Sequence, residues 1–296
     1  MATSTPPTET TPLNPPPSQP ASESQEEEPF FLSLNPSQPT TLIFLHGVTS
    51  SHLEWAHILP LLPQYHLLVL DMPGHSRSSH LPGPYTIPRM ADVAAGIIAR
   101  HAHNGVAHVV GLSMGGFTAL ELARRYPELC TSVFATGAHP FEGTYAWLAA
   151  RPRVVSGFMW VLYNLLPDAL YWGMARWGGM RRHEELHAEM RRNSARFEVI
   201  SGVYGSILDV GWEEFKQMDK VRTLVVAAEK GDDVRSAEGV ARVWREEGVQ
   251  ERVGSRVAVV KGALHAWDLQ FPELFAEGIR AWVEGGELPE GFEVVE

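Results

Sequence analysis

Five residues, Gly111-Leu112-Ser113-Met114-Gly115, constrain this chain more than any others, because they place a serine on a sharp turn between an apolar run and an apolar-faced helix. Ala107 to Val110 reads as a short buried strand leading into the turn. Gly115 to Tyr126 reads as the helix that leaves it, with Glu121, Arg124 and Arg125 sharing one face. Side chains at Gly111 and Gly115 would crowd the serine and the neighbouring strand, so the turn needs residues without a Cβ. Strand, turn and helix together make Ser113 a candidate nucleophile. A glycine-rich connection carrying an incidental serine is the plainer alternative.

The flanking segments supply a sheet for that turn. Phe30 to Leu34 and Thr41 to Leu45 read as strands joined around Asn35-Pro36, and His66 to Leu70 as a third, ending at Asp71-Met72-Pro73-Gly74-His75-Ser76. His52 to Leu62 carries a helical pattern stopped by Pro63, and Ile87 to His101 another. Ser132 to Thr136, Thr223 to Ala228 and Arg256 to Val260 read as further strands, with helices over Ala237 to Glu246 and from about Asp268 to Val283. Continuous apolar strands alternating with helices predict an α/β fold, a mostly parallel sheet covered by helices on both faces. Such sheets place their sites at the carboxyl ends of the strands, where His46, Asp71 and Ser113 fall.

Between about 139 and 220 the alternation stops. This stretch holds five of the nine tryptophans, Trp147, Trp160, Trp172, Trp177 and Trp212, together with Met159, Met174, Met180, Met190 and Met218. Packing against one another is the ordinary use of such residues; lining a site under a helical lid is the functional one. We expect a helical lid inserted at about 139–220 of a domain running from 29 to 296.

Residues 1–28 are rich in Pro, Thr, Ser and Glu with little apolar to bury, and predict a disordered tail. It carries acids and no arginine, unlike a mitochondrial transit peptide, and lacks the apolar core of a signal peptide. No stretch is long and apolar enough to span a bilayer. Cys130 is the sole cysteine, which excludes an intramolecular disulfide. These features predict a cytoplasmic protein. A formal net charge of -11 argues against a nucleic-acid or anionic-membrane surface, and no basic run offers a local exception.

A serine hydroxyl needs a neutral imidazole to take its proton and a carboxylate to hold that imidazole's tautomer. His265 follows the Arg256 to Val260 strand and Asp232 follows the Thr223 to Ala228 strand, giving the order Ser, Asp, His. Asp233 and Glu229 stand close enough to compete with Asp232 for the role. An oxyanion needs two N–H donors, and the backbones of Met114, at the start of the helix, and Val48, after His46-Gly47, are best placed. His46 is expected to be structural and Asp71 to shape its own turn.

From about Phe30 onward the chain resembles the α/β-hydrolase family. The resemblance is carried by His46-Gly47, Asp71-x-Pro73-Gly74, Gly111-x-Ser113-x-Gly115, an acid after the late strand, and Gly262-x-x-His265. Serine at the elbow resembles the esterase, lipase and carbon–carbon hydrolase branches. Ser76 departs from the second glycine often found there, and Gly231 stands where the acid often falls. The resemblance implies a serine hydrolase cleaving an ester-like carbonyl bond, with no metal or organic cofactor, and the tryptophans and methionines of the insertion predict a small, apolar substrate. A thioesterase, a lactonase, a carbon–carbon hydrolase and a non-catalytic small-molecule receptor are the alternatives. His183-Glu184-Glu185-Leu186-His187 also matches a zinc-protease pattern. Arginines crowd that helix and no third ligand is marked, so a solvated amphipathic helix is the expected reading.

Overall fold

The computed structural model describes residue 1 and residues 27–295. Eight strands form one sheet in the order β1-β3-β2-β4-β5-β6-β7-β8: β1 Phe31–Leu34, β2 Thr41–Leu45, β3 His66–Leu70, β4 Ala107–Leu112, β5 Cys130–Thr136, β6 Thr223–Ala228, β7 Arg256–Val260 and β8 Phe292–Val294. The edge strands β1 and β8 run antiparallel to their neighbours and the rest are parallel. Pairing Leu45 with Gly111 and Leu112 with Thr136 brings the carboxyl ends of β2, β4 and β5 side by side.

The apolar runs are continuous because both faces are covered. On one face Ile43, Leu45, Val109 and Val225 pack against α1 (Ile87–His101), α2 (Met114–Arg125) and α9 (Val234–Glu246). On the other, Leu42, Phe44, Val110 and Phe134 pack against Trp55, Ile58 and the last helices, α11 (Trp267–Gln270) and α12 (Pro272–Glu284). A short α10 (Val249–Val253) precedes β7. Between β5 and β6 six helices intervene: α3 Gly143–Ala149, α4 Pro152–Asn164, α5 Asp168–Trp177, α6 Glu184–Ser194, α7 Phe197–Ile207 and α8 Trp212–Lys216.

Several expected elements differ. His52 to Leu62 is not one helix but two short 3-10 turns, His52–Trp55 and Leu59–Leu61, because Pro60 has no N–H to give and its ring excludes a continuous ladder. The terminal helix is broken at Phe271, which takes φ -130° ahead of Pro272, as a residue before proline must when it leaves the helical region. β4 extends to Leu112 and β5 starts at Cys130, each two residues beyond the expected limit. α9 starts at Val234, capped by Asp233. The three residues of β8, two of them exposed, are too few to show a period. Of the expected tail, 2–26 lies outside the described residues, while Glu28 bonds Arg100 and His101 on α1.

Candidate active site

Ser113 ends β4 and precedes α2 with φ 56° and ψ -119°, a conformation rare for a residue with a side chain and costing on the order of 1–3 kcal/mol. Its N–H donates to the Thr136 carbonyl (2.8 Å) and its carbonyl accepts the Phe117 N–H (2.9 Å), so the turn is held by β5 on one side and α2 on the other. The two flanking glycines are required sterically. A Cβ on Gly111 would lie 2.1 Å from the Gly115 carbonyl oxygen, and one on Gly115 would lie 1.8 Å from that of Leu45.

Two further strand ends carry the other expected residues. The Asp232 carboxylate meets His265 Nδ1 at 2.5 Å through one oxygen and accepts the Ala228 N–H (2.7 Å) through the other. Facing a carboxylate, Nδ1 carries the proton, which leaves Nε2 as a free base. Burial raises the Asp232 pKa, but His265 and the Ala228 N–H outweigh it and hold the group below the usual aspartate value. At His265 burial works against protonation, and the charge and hydrogen bond of Asp232, helped by Glu54, overcome it and raise the pKa. The competing acids are occupied elsewhere: Asp233 accepts the Ser236 N–H to cap α9, and Glu229 accepts the Gly262 N–H (2.7 Å). Position 231 has no room for an acidic side chain, since a Cβ there would lie 2.1 Å from the His265 backbone nitrogen. Gly137, just after β5, abuts the imidazole, where a Cβ would come within 2.6 Å of Cε1.

The loop after β2 passes beside the serine. A Cβ on Gly47 would lie 3.6 Å from Ser113 Cβ. Val48 follows in that loop, and Met114 is the first residue of α2, where helix N–H groups lack partners within the helix. His46 is buried; its Nδ1 donates to the Gly47 carbonyl and its Nε2 accepts the Met72 N–H (2.9 Å). Asp71 does more than shape its turn. It accepts the His52 and Arg77 N–H groups and the His52 ring, tying the loops after β2 and β3 together.

Three side chains here were not singled out by sequence. Asn193 of α6 is buried and donates to the Thr49 and Ser50 carbonyls (3.1 and 2.8 Å) and to Ser76 Oγ, while its carbonyl accepts the Ser76 N–H. It fastens the insertion to the loop beside Ser113, and it uses the serine that replaces the family-like glycine. Glu54 is buried and accepts the Gly47 N–H (2.8 Å); burial pushes its pKa up to about 7. Asp268 is fully buried, neither of its oxygens meets a side-chain hydrogen-bond donor among the described residues, and burial with the neighbouring charge of Glu54 raises its pKa well above the usual range. One signal was available for Asn193, a lone amide on the α6 stripe that also carries Leu186; none was available for the two acids.

The insertion does not direct all its large side chains inward. Tyr163 of α4 reaches Thr49 and Glu54, and Tyr145 lies within the field of Asp232. Trp172 packs against His187, and Trp212 donates to Glu142. Trp147 and Trp177, expected as lining or core, are exposed instead. The two histidines of the zinc-like pattern have separate tasks: His183 caps α6 by accepting the Leu186 N–H, and His187 stacks on Tyr171 at 3.9 Å. Among the described residues no three His, Cys, Asp or Glu side chains converge as metal ligands.

With this geometry in place, comparison with known proteins is direct. Residues 40–218 match the model of the alpha/beta hydrolase fold family. An AB hydrolase superfamily protein of Gibberella zeae is 30% identical over 270 residues, covering 90% of this chain and 87% of its own. A poly(3-hydroxyalkanoate) depolymerase of Ectopseudomonas oleovorans is 29% identical over 215 residues, 68% of this chain and 71% of its own. Among solved structures, a thermophilic esterase from Thermogutta terrifontis superposes with a TM-score of 0.63 at 21% identity, covering 86% of this chain and 93% of that one. The chain belongs to the α/β-hydrolase fold family, and esterases and a depolymerase are among the proteins it resembles. No helix among the described residues is long and apolar enough to cross a membrane.

Proposed function

We propose that the protein is a serine hydrolase cleaving an ester-like carbonyl bond of a small, apolar metabolite. The observation that carries this reading is the 2.5 Å contact between Asp232 and His265, after β6 and β7 at the same edge of the sheet where β4 ends in the strained turn of Ser113. Ser113 Oγ attacks the carbonyl carbon while His265 Nε2 takes its proton. The tetrahedral oxyanion is held by the Val48 and Met114 N–H groups. The carbon–oxygen bond to the leaving alcohol then breaks, His265 returns the proton to that alcohol, and an acyl group stays on Ser113. Water, deprotonated by the same imidazole, releases the acid. No metal or organic cofactor is needed for any step. The named activities of the depolymerase and esterase relatives support an ester over other carbonyl substrates.

Hydrolysis of a p-nitrophenyl ester series tests the substrate class. Each methylene buried against Tyr163 and its neighbours is worth about 0.8 kcal/mol. The kcat/KM should therefore rise several-fold from acetate to butyrate or hexanoate, and Ser113→Ala should abolish turnover throughout. A flat series, or a preference for anionic acyl groups, would contradict an apolar site.

A further inference from the structure

The outer side of the insertion carries apolar residues where a helix over a globular core carries polar ones. On α4, Val154, Phe158, Val161 and Leu165 recur at helical spacing and are all exposed, Phe158 by 66% and Leu165 by 61%. Their direction is fixed by the opposite face. Ser156 is fully buried with its hydroxyl on Ser201 of α7, and Tyr163 reaches the loop beside Ser113. At 3.6 residues per turn the four exposed residues fall roughly 140–220° around the helix from both of these. They point away from the candidate site and do not line it. On α5, Leu170, Met174 and Trp177 repeat the spacing, and Trp177 is 92% exposed. A single exposed leucine means nothing, but two successive helices that meet through the Tyr163 and Tyr171 rings, 6.1 Å apart, each carry an exposed apolar stripe of the kind that seats a partner.

The charge on this surface selects the partner. Residues 143–183 hold five arginines and one acid, Asp168, in a chain whose formal net charge is -11. Asp168 pairs with Arg191, Arg181 with Glu273 and Arg182 with Glu184. Arg151 has no acidic partner among the described residues; it binds the Trp147 carbonyl and lies over its exposed ring, 4.0 Å from the centroid. Arg153 and Arg176, at the start of α4 and the last turn of α5, form no ion pair among the described residues. A twofold contact of this face with a second copy would gather the unneutralised arginines of both copies in one interface. An apolar stripe of Phe, Leu, Met and Trp, bordered by arginines, fits the boundary between the acyl chains and headgroups of a bilayer, where aromatic rings and arginine stems both settle.

We propose that the outer faces of α4 and α5 form a docking surface for the headgroup layer of an anionic phospholipid bilayer. The chain-wide charge of -11 speaks against such a surface, but this face is locally positive and charges beyond about 8–10 Å are screened at physiological ionic strength. Docking through the outer side of the insertion sets the candidate site, on its inner side, beside a supply of apolar substrate.

Co-sedimentation of the full chain with vesicles tests the assignment. Binding is expected to vesicles of phosphatidylcholine with phosphatidylglycerol, weaker binding to phosphatidylcholine alone, and loss of binding in the Phe158→Asp, Leu165→Asp double variant. Changing Arg151, Arg153 and Arg176 to glutamine, which leaves the apolar face intact, should weaken binding to the mixed vesicles by roughly tenfold to a hundredfold. Both variants should hydrolyse a short soluble ester at the wild-type rate. Failure of the wild-type chain to sediment with either vesicle would overturn the proposal, as would unchanged sedimentation of the arginine variant. So would a dimer in light scattering that the Phe158→Asp, Leu165→Asp change dissolves, which would assign the face to a second copy.

Discussion

Ser113, Gly111, Gly115 and His265 were legible in the sequence because each answers a local demand: a turn with no room for a Cβ, or a histidine directly after a strand. The choice among Asp232, Asp233 and Glu229 was not fully legible, because it depends on Gly231 packing against the backbone of His265, thirty-odd residues away. That packing makes a residue-scale prediction. Asp232→Asn should lower kcat on the order of a thousandfold or more, leaving the imidazole in the wrong tautomer. Asp233→Asn should leave kcat nearly unchanged, because asparagine caps α9 as aspartate does. Steady-state kinetics on one ester separate the two, and the reverse ranking would move the acid by one residue. The pH profile follows from the same pair. His265 must be neutral to act as base, and its pKa is raised, so activity should fall with decreasing pH through a midpoint above 6.5. The linkage to stability has opposite signs in the two partners. His265, with its raised pKa, contributes stability that is present below its unfolded pKa and lost as pH rises through the folded value. Asp232, with its lowered pKa, contributes stability present above its unfolded pKa and lost as pH falls through the folded value. A midpoint below 6.5 in the kcat/KM profile would contradict the assigned partnership.

Among the elements, strands and long helices were read correctly where the apolar period was uninterrupted, as in β2, β3, β7 and α1. The two wrongly joined helices came from proline. Pro60 and Pro272 each divide a run whose side-chain pattern is helical throughout, so periodicity alone joined what the backbone separates. The insertion between β5 and β6 was legible as helical, but its attachment was not. Asn193 fixes α6 to the Thr49–Ser50 segment and to Ser76, contacts made across more than a hundred residues of sequence. Asn193→Leu would leave buried carbonyls and an N–H unpaired, costing about 1–3 kcal/mol for each group stranded. Both a lower Tm and a kcat/KM reduced by roughly tenfold or more are expected, since a shift of the loop that holds Val48 displaces the oxyanion donor proposed there. Full activity in the folded variant would show that α6 does not position that loop.

For the whole molecule, the sheet was foreseeable because two apolar faces leave few ways to cover a parallel sheet, and the two core clusters divide its strands residue by residue. The buried acids were not foreseeable. Glu54 lies one residue before the core tryptophan Trp55, and Asp268 in a segment read as the start of an amphipathic helix; only the fold puts both in the interior. Everything the fold positions at its strand ends converges on one claim, that Ser113 is the nucleophile. A fluorophosphonate probe, which reacts only with an activated serine, tests it most directly when the labelled protein is digested and the adduct is mapped by mass spectrometry. The adduct is expected on the peptide containing Ser113, in stoichiometric yield, and absent from a folded Ser113→Ala variant. Labelling that persists in that variant, or an adduct mapped to any other residue, would contradict the account.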